Sequence, residues 1–193
     1  MRLVLIAGAS GSGKTTLAQG MQDRLPGLVR IIAIDCFYRD DLANSENFDC
    51  PDAIDWPLLL AAVQTLMRGV ATTIPQYDYC AGRRCGEEQV APPEVLILEG
   101  IFALCSPVLR EMATLRLFVA TDLDTALIRR LRRDIAERGR TLEEILRRYE
   151  TQVKPAYDRW IHPSARDADM VIPHGGQNTV ALDLIIGAFR SEA

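Results

Sequence analysis

A short apolar run, residues 3–7, leads straight into Gly8-Ala9-Ser10-Gly11-Ser12-Gly13-Lys14-Thr15. No other feature restricts the fold as much. The octapeptide matches Gly-x-x-x-x-Gly-Lys-[Ser/Thr] in full, with a strand pattern before it and a helix pattern after it. The glycines let the backbone curl so that its N–H groups point at phosphate oxygens. The following helix adds the partial positive charge of its N-terminus. Lys14 is placed to reach β- and γ-phosphates, and Thr15 offers a hydroxyl to Mg²⁺. A chain that opens this way is expected to bind a nucleoside triphosphate with Mg²⁺, on an α/β scaffold.

The rest of the chain fits that scaffold. Apolar runs at 3–7, 29–34, 95–98, 115–119 and 170–172 are short, rich in branched residues and not alternating. Strands buried on both faces of a parallel sheet read this way. Helical patterns lie between them. One follows the glycine-rich loop over 14–25. Asp55 can cap another, with Pro57 in its first turn and Gly69 at its end. Leu127, Ile128, Leu131 and Ile135 recur at helical spacing. Thr141-Leu142-Glu143-Glu144 fits a capping box, followed by Ile145, Leu146, Tyr149 and Val153 on one face. A last amphipathic helix covers 180–189. The β–α alternation argues for an open parallel sheet with right-handed crossovers. Residues 35–89 are less regular and suggest an acceptor-side insertion with a short hairpin near 72–79.

Composition narrows the function classes. The chain has 193 residues, enough for one domain with a single large core. A formal net charge of −4 gives no reason to expect nucleic acid or an anionic membrane as partner. No stretch reaches the ~18 apolar residues of a membrane span. The N-terminal apolar run is too short for a signal peptide. Five cysteines, an odd number, in a chain of this size read as reduced thiols in the cytoplasm. Cys80 and Cys85 have the wrong spacing for a zinc knuckle.

A P-loop by itself does not choose between kinase, switch and motor. The guanine-reading Asn-Lys-x-Asp of GTPases is absent. So is the Leu-Ser-Gly-Gly-Gln of transporter ATPases; Gly175-Gly176-Gln177 lacks the Leu-Ser before it. A kinase needs a metal-side acid, an acceptor base and cations for the transferring group, and each has a candidate. Glu99 ends the buried run Val95-Leu96-Ile97-Leu98, where ligands sit in open α/β sheets. Asp35 ends the second strand and suits a base for an acceptor hydroxyl, or a loop cap. Eight arginines fall between positions 129 and 148. Arg130, Arg133, Arg138 and Arg140 flank a break at Gly139, as in a lid of two hinged helices over 123–160. The same spacing suits a solvated basic face with Asp134 and Glu137 as partners.

At this point the sequence resembles the uridine kinase (uridine–cytidine kinase) family of P-loop nucleoside kinases, along nearly the whole chain. Residues 8–16 resemble its phosphate loop. Asp35-Cys36-Phe37-Tyr38 is similar to its Asp-x-[Phe/Tyr]-Tyr motif. The stretch Asn47-Phe48-Asp49-Cys50-Pro51-Asp52-Ala53 is similar to its Asn-Phe-Asp-His-Pro-Asp-Ala, and Pro75-Gln76-Tyr77-Asp78-Tyr79 to its Pro-x-Tyr-Asp-[Phe/Tyr]. Leu98-Glu99-Gly100-Ile101, the arginines from 130 to 140, Val153-Lys154-Pro155 and the tail at 172–178 also fit.

The resemblance implies a three-layer P-loop fold with about five parallel strands, helices on both faces and a helical, arginine-rich lid. It implies a phosphate site at Gly8, Ser10, Gly11, Ser12, Gly13, Lys14, Thr15 and Thr16, and Mg²⁺ at Thr15 and Glu99. Asp35 would be the catalytic base, with Lys14, Arg133 and Arg138 toward the transferred phosphate. Asp49 would hold ribose hydroxyls, Tyr77 would meet the base, Tyr38 would line the pocket, and Arg130 and Arg140 would lie toward the acceptor. The family's bacterial members tend to form homotetramers, which implies a homo-oligomer. Three positions depart from the pattern: Cys50 and Gly82 stand where the family has histidine, and Arg148, also expected at the acceptor, where it has glutamine. The loop between Asp40 and Asn47 is short. The expected reaction is transfer of the γ-phosphoryl of ATP or GTP to the 5′-hydroxyl of uridine or cytidine. One rival is a kinase of the same fold for another nucleoside, a vitamin precursor or a sugar phosphate, with Arg84 and Arg148 as extra cations. The other is a nucleotide-binding regulator without phosphotransfer.

Overall fold

The computed structural model describes residues 1–40 and 47–191. The short loop noted between Asp40 and Asn47 lies outside the described residues. Seven strands are present among them: β1 (Arg2–Gly8), β2 (Val29–Ala33), β3 (Thr72–Asp78), β4 (Arg83–Val90), β5 (Val95–Glu99), β6 (Leu115–Ala120) and β7 (Met170–Pro173). Five form one parallel sheet in the order β2-β5-β1-β6-β7, and β3 and β4 form a separate antiparallel hairpin. The expected strands are all present within one or two residues.

Alternation along β1 feeds two cores. Leu3, Leu5 and Ala7 pack on one face with Leu59, Ala62, Val63 and Leu66 of α2 (Trp56–Met67) and Leu109 of α3 (Pro107–Met112). Val4 and Ile6 pack on the other with Leu17, Ala18 and Met21 of α1 (Lys14–Arg24), and with Ala181, Leu182, Ile185 and Ile186 of α7 (Thr179–Ser191). Both sides of each central strand are therefore dry, which is why these strands read as continuous apolar runs. Asp55 caps α2 by accepting from the Leu58 N–H, with Pro57 in the first turn.

The region after β6 holds α4 (Leu123–Arg138), α5 (Leu142–Arg148) and a continuous helical run over 149–167. That run contains two π-helical turns, at Tyr149–Val153 and Tyr157–Ile161, around the short α6 (Lys154–Ala156). Gly139, at φ +63°, breaks α4 from α5, and Thr141 and Glu144 make both bonds of the capping box. The apolar stripe of α4 is not its buried face: Ile128 and Ile135 are each 49% exposed, while Ala126, Arg130 and Asp134 are buried. This helix stands over the ligand site, so its inward residues are polar.

Candidate active site

Sheet register brings the site together. Glu99 at the end of β5 lies opposite Ile6 of β1 on one side and Ala33 of β2 on the other. The phosphate loop follows β1 directly, and Asp35 follows β2 in a 3₁₀ turn (Ile34–Phe37). Three distant segments thus end on one edge of the sheet, outside the carboxyl ends of its strands.

The loop itself is fixed by close backbone approaches. Gly13 has φ +99°, and a Cβ there would fall 2.6 Å from the Gly176 nitrogen. A Cβ on Gly11 would fall 2.2 Å from the Ala126 carbonyl oxygen, in the first turns of α4. Only glycine permits either contact. The Thr121 hydroxyl donates to the Ser12 carbonyl at 2.8 Å and ties the loop to the end of β6.

Two cavities flank the loop. The donor-side cavity, about 1000 Å³, includes Gly11, Gly13, Thr16, Arg129, Gly176 and Gln177 in its wall. The acceptor-side cavity, about 480 Å³, includes Ser10, Asp35, Tyr38, Asp49, Arg130, Arg140 and Arg148. Lys14, Thr15, Tyr77, Tyr79, Cys80, Glu99, Arg133 and Arg138 belong to both walls. Every acceptor-side residue expected from sequence lines the second cavity. Gly8 and Ser12 lie behind the wall, Ser12 fully buried.

The electrostatics are those of a partly dry, highly charged cleft. Lys14 is 8% exposed and donates to the Ala9 carbonyl at 2.9 Å. Burial lowers its pKa, and Glu99 and Asp35 oppose that fall. Burial also raises the Asp35 pKa from 3.8 to about 6; Glu99 adds to the rise, while Lys14 and Arg138 resist it. A carboxylate poised there is a competent base near neutral pH. Asp49 is raised by burial against the pull of Arg130, Arg148 and Arg140. Burial drives the Tyr77 phenol up to about 12, so it stays a neutral donor.

The Thr15 hydroxyl donates to Glu99 Oε1 at 2.8 Å, so the two oxygens expected at a metal are already paired. Hard oxygen donors beside a triphosphate site fit Mg²⁺, which takes few protein ligands and keeps water and phosphate for the rest.

Asp134 is the partner around which the arginine run gathers. It is fully buried, and four guanidinium groups surround it: Arg133 at 2.8 Å, Arg140 at 3.0 Å, Arg138 at 3.4 Å and Arg130 at 3.7 Å. Burial alone would raise its pKa; these cations, Arg133 foremost, hold it below the usual value. The face is a cluster aimed into the cleft. One carboxylate against four cations leaves this part of the wall net positive. A charged residue in the middle of the arginine run, four positions from both Arg130 and Arg138, was the available signal.

A family model described as "Phosphoribulokinase / Uridine kinase family" matches residues 3–181. The chain belongs to that family. Among relatives, it is 40% identical to uridine kinase of Ligilactobacillus salivarius over 97% of this chain and 92% of that one. It is also 40% identical to uridine kinase of Aeromonas hydrophila, covering 97% and 94%. Phosphoribulokinase from Rhodobacter spheroides shares the fold, with TM-score 0.63 at 19% identity over 89% of this chain and 69% of that one.

Within this family frame the three departures fall differently. Gly82 and Arg148 line the acceptor cavity; Cys50 does not, and its thiol lies 3.8 Å from the Asn47 carbonyl. A Cβ at Gly82 would meet nothing within 4 Å, although φ there is +65°. Arg84, a candidate extra cation, points elsewhere. It lies 3.4 Å from Asp55, 3.9 Å from Asp40 and 3.5 Å from the Phe37 carbonyl. Sequence reasoning also passed over Phe48, Tyr79, Glu144 and Arg147, all in the acceptor wall.

Proposed function

We propose that this protein transfers the γ-phosphoryl of ATP or GTP to the 5′-hydroxyl of a nucleoside, uridine or cytidine. The observation that carries the reading is the shared wall. Lys14, Thr15, Glu99, Arg133 and Arg138 border both cavities, and Asp35 stands just on the acceptor side of them. A group moving between the cavities must pass the cations, and an acceptor hydroxyl beside them meets a base.

In this reading Asp35 takes the hydroxyl proton. Lys14 and the loop N–H groups hold the phosphates of the donor. Thr15 and Glu99 would hold Mg²⁺, which when bound neutralises phosphate charge and orients the chain. Arg133 and Arg138 face the charge on the moving group, and Asp49 and Tyr77 orient the acceptor. Positioning and electrostatics carry most of the acceleration. The same reading makes the protein a cytoplasmic salvage enzyme acting on a small molecule as a homo-oligomer; among the described residues no helix is long and apolar enough to cross a membrane.

The sugar-phosphate alternative loses Arg84, which is committed to Asp55, and keeps Arg147 and Arg148 as its support. A regulator without transfer has no use for a base at the cavity junction. Triphosphate consumption should be measured with uridine, cytidine, purine nucleosides, sugar phosphates and no acceptor. Turnover with uridine and cytidine above that with every other acceptor is the expected result. Turnover only with a sugar phosphate, or none at all, would overturn it.

A further inference from the structure

Four aromatic rings in series connect the acceptor pocket to the lid. Phe48 meets Tyr38 edge to face at 5.2 Å between ring centres, Tyr38 meets Tyr77 at 5.4 Å, and Tyr77 meets Tyr79 edge to face at 5.4 Å. The series ends on a cation: the Arg138 guanidinium carbon lies 4.5 Å from the centre of the Tyr79 ring. One residue along, the Cys80 thiol donates to the Glu137 carbonyl at 3.5 Å. Two neighbouring residues of the β3–β4 turn therefore grip two neighbouring residues at the end of α4. The turn is braced by Asp78, whose carboxylate accepts from the Cys80 and Ala81 N–H groups.

Arg138 needs a second constraint. Among the described residues its one ion pair is with Asp134, and that carboxylate is shared with three other guanidinium groups, two of them closer. A single shared oxygen at 3.4 Å does not fix the direction of a guanidinium plane. The face of Tyr79 does, because the attraction depends on the cation lying over the ring.

We propose that Tyr79 is the positioning residue of Arg138, so that an acceptor packed on Tyr77 sets the lid arginine through one intervening ring. The proposal rests on the reading above, in which Arg138 faces the transferred phosphoryl group. Its consequence is that the cation for the moving charge is placed by the β3–β4 turn, which borders both cavities. The phenol oxygen of Tyr79 has no part in it; the ring face does.

The test combines kinetics with an activity-independent readout. With ATP and uridine, Tyr79→Leu should lower kcat about tenfold, within the range of a lost cation–π contact, and change the uridine KM less than about threefold. Tyr79→Phe should restore kcat to within about threefold of the natural protein. Tyr79→Leu added to Arg138→Ala should lower kcat no further than Arg138→Ala alone, since both remove one interaction. In spectra of the arginine Nε–H groups, recorded without substrate, the Arg138 signal should carry a ring-current shift that survives in Tyr79→Phe and vanishes in Tyr79→Leu. Tyr79→Met serves the same purpose if the leucine variant does not fold. A normal kcat in Tyr79→Leu, an additive double variant, or an Arg138 signal indifferent to residue 79 would overturn the proposal. A normal kcat in Arg138→Ala, with the ring-current shift present in the natural protein, would instead overturn the phosphoryl-side role of Arg138. If no acceptor is phosphorylated, the spectra alone still decide whether Tyr79 holds Arg138.

Discussion

The donor and acceptor sides of the cleft are built by different means. The donor side is mostly backbone: a glycine-rich loop whose shape is forced by approaches at Gly11 and Gly13 that no side chain would permit. Its chemistry comes from eight consecutive residues and one acid across the sheet. The acceptor side is mostly side chain. Asp35, Asp49, Tyr77, Arg130 and Arg148 come from five separate segments, and only tertiary packing brings them to one cavity. A backbone-built site tolerates little change in sequence, whereas a side-chain-built site can be retuned one residue at a time. This chain has such changes at the acceptor, in Gly82 and Arg148, and none in the donor motif.

The largest expected effect lies on the donor side. Lys14→Ala should abolish phosphotransfer. Lys14 is buried, so the variant also removes the cation that offsets the repulsion between Asp35 and Glu99. The fold should survive, because Lys14 belongs to neither apolar core, and the Asp35 pKa should climb above 6. Calorimetry and a carboxylate titration would check both; wild-type turnover would sink the phosphate-loop assignment.

Asp35→Asn comes next, with kcat reduced on the order of 10²-fold or more while nucleotide still binds. The natural protein should lose activity as pH falls through about 6, where Asp35 gains its proton. The sign for stability is the opposite. A carboxyl raised from 3.8 to about 6 binds more protons folded than unfolded in that window, so its contribution to stability falls as pH rises through it. Asp35→Asn should therefore raise Tm above pH 6. A pH-independent rate, or a Tm unchanged at every pH, would reduce Asp35 to a loop cap.

Asp134→Asn should loosen the arginine cluster, including Arg133, which reaches the Ser10 hydroxyl of the phosphate loop. Four guanidinium groups would then share no carboxylate, and a stability loss of roughly 3 kcal/mol is expected for a broken buried pair. Chemical denaturation in low and high salt would measure it, with salt recovering part of the loss by screening. A variant as stable as the natural protein would mean that the arginines find other partners.

The smallest effect concerns selection. Gly82 leaves open space where a side chain could reach the acceptor. A neutral hydrogen bond contributes about 0.5–1.5 kcal/mol, so Gly82→His should sharpen selection among nucleosides by several-fold at most, offset by about 1 kcal/mol of strain at φ +65°. Ratios of kcat/KM for uridine, cytidine and purine nucleosides would show it. Sharp selection in the natural protein that Gly82→His leaves unchanged would place base reading elsewhere.

The sequence by itself determined the phosphate-loop motif and the parallel sheet around it. Contiguous motifs keep their geometry wherever they occur, because a loop between a strand and a helix has few ways to curl, and strands buried on both faces must be apolar throughout. The capping residues Asp55 and Thr141 were legible for the same local reason. The tertiary structure alone decided what the arginine-rich helix faces. The repeat of Leu127, Ile128, Leu131 and Ile135 announces a helix, but periodicity does not say what covers each side. Here the cleft claims the polar face, so Asp134 becomes the buried centre of four cations and Ile128 and Ile135 stay half exposed. The contact of Tyr79 with Arg138 was likewise unreadable, since it joins a hairpin turn to a helix end 59 positions away by a ring face that no local pattern records.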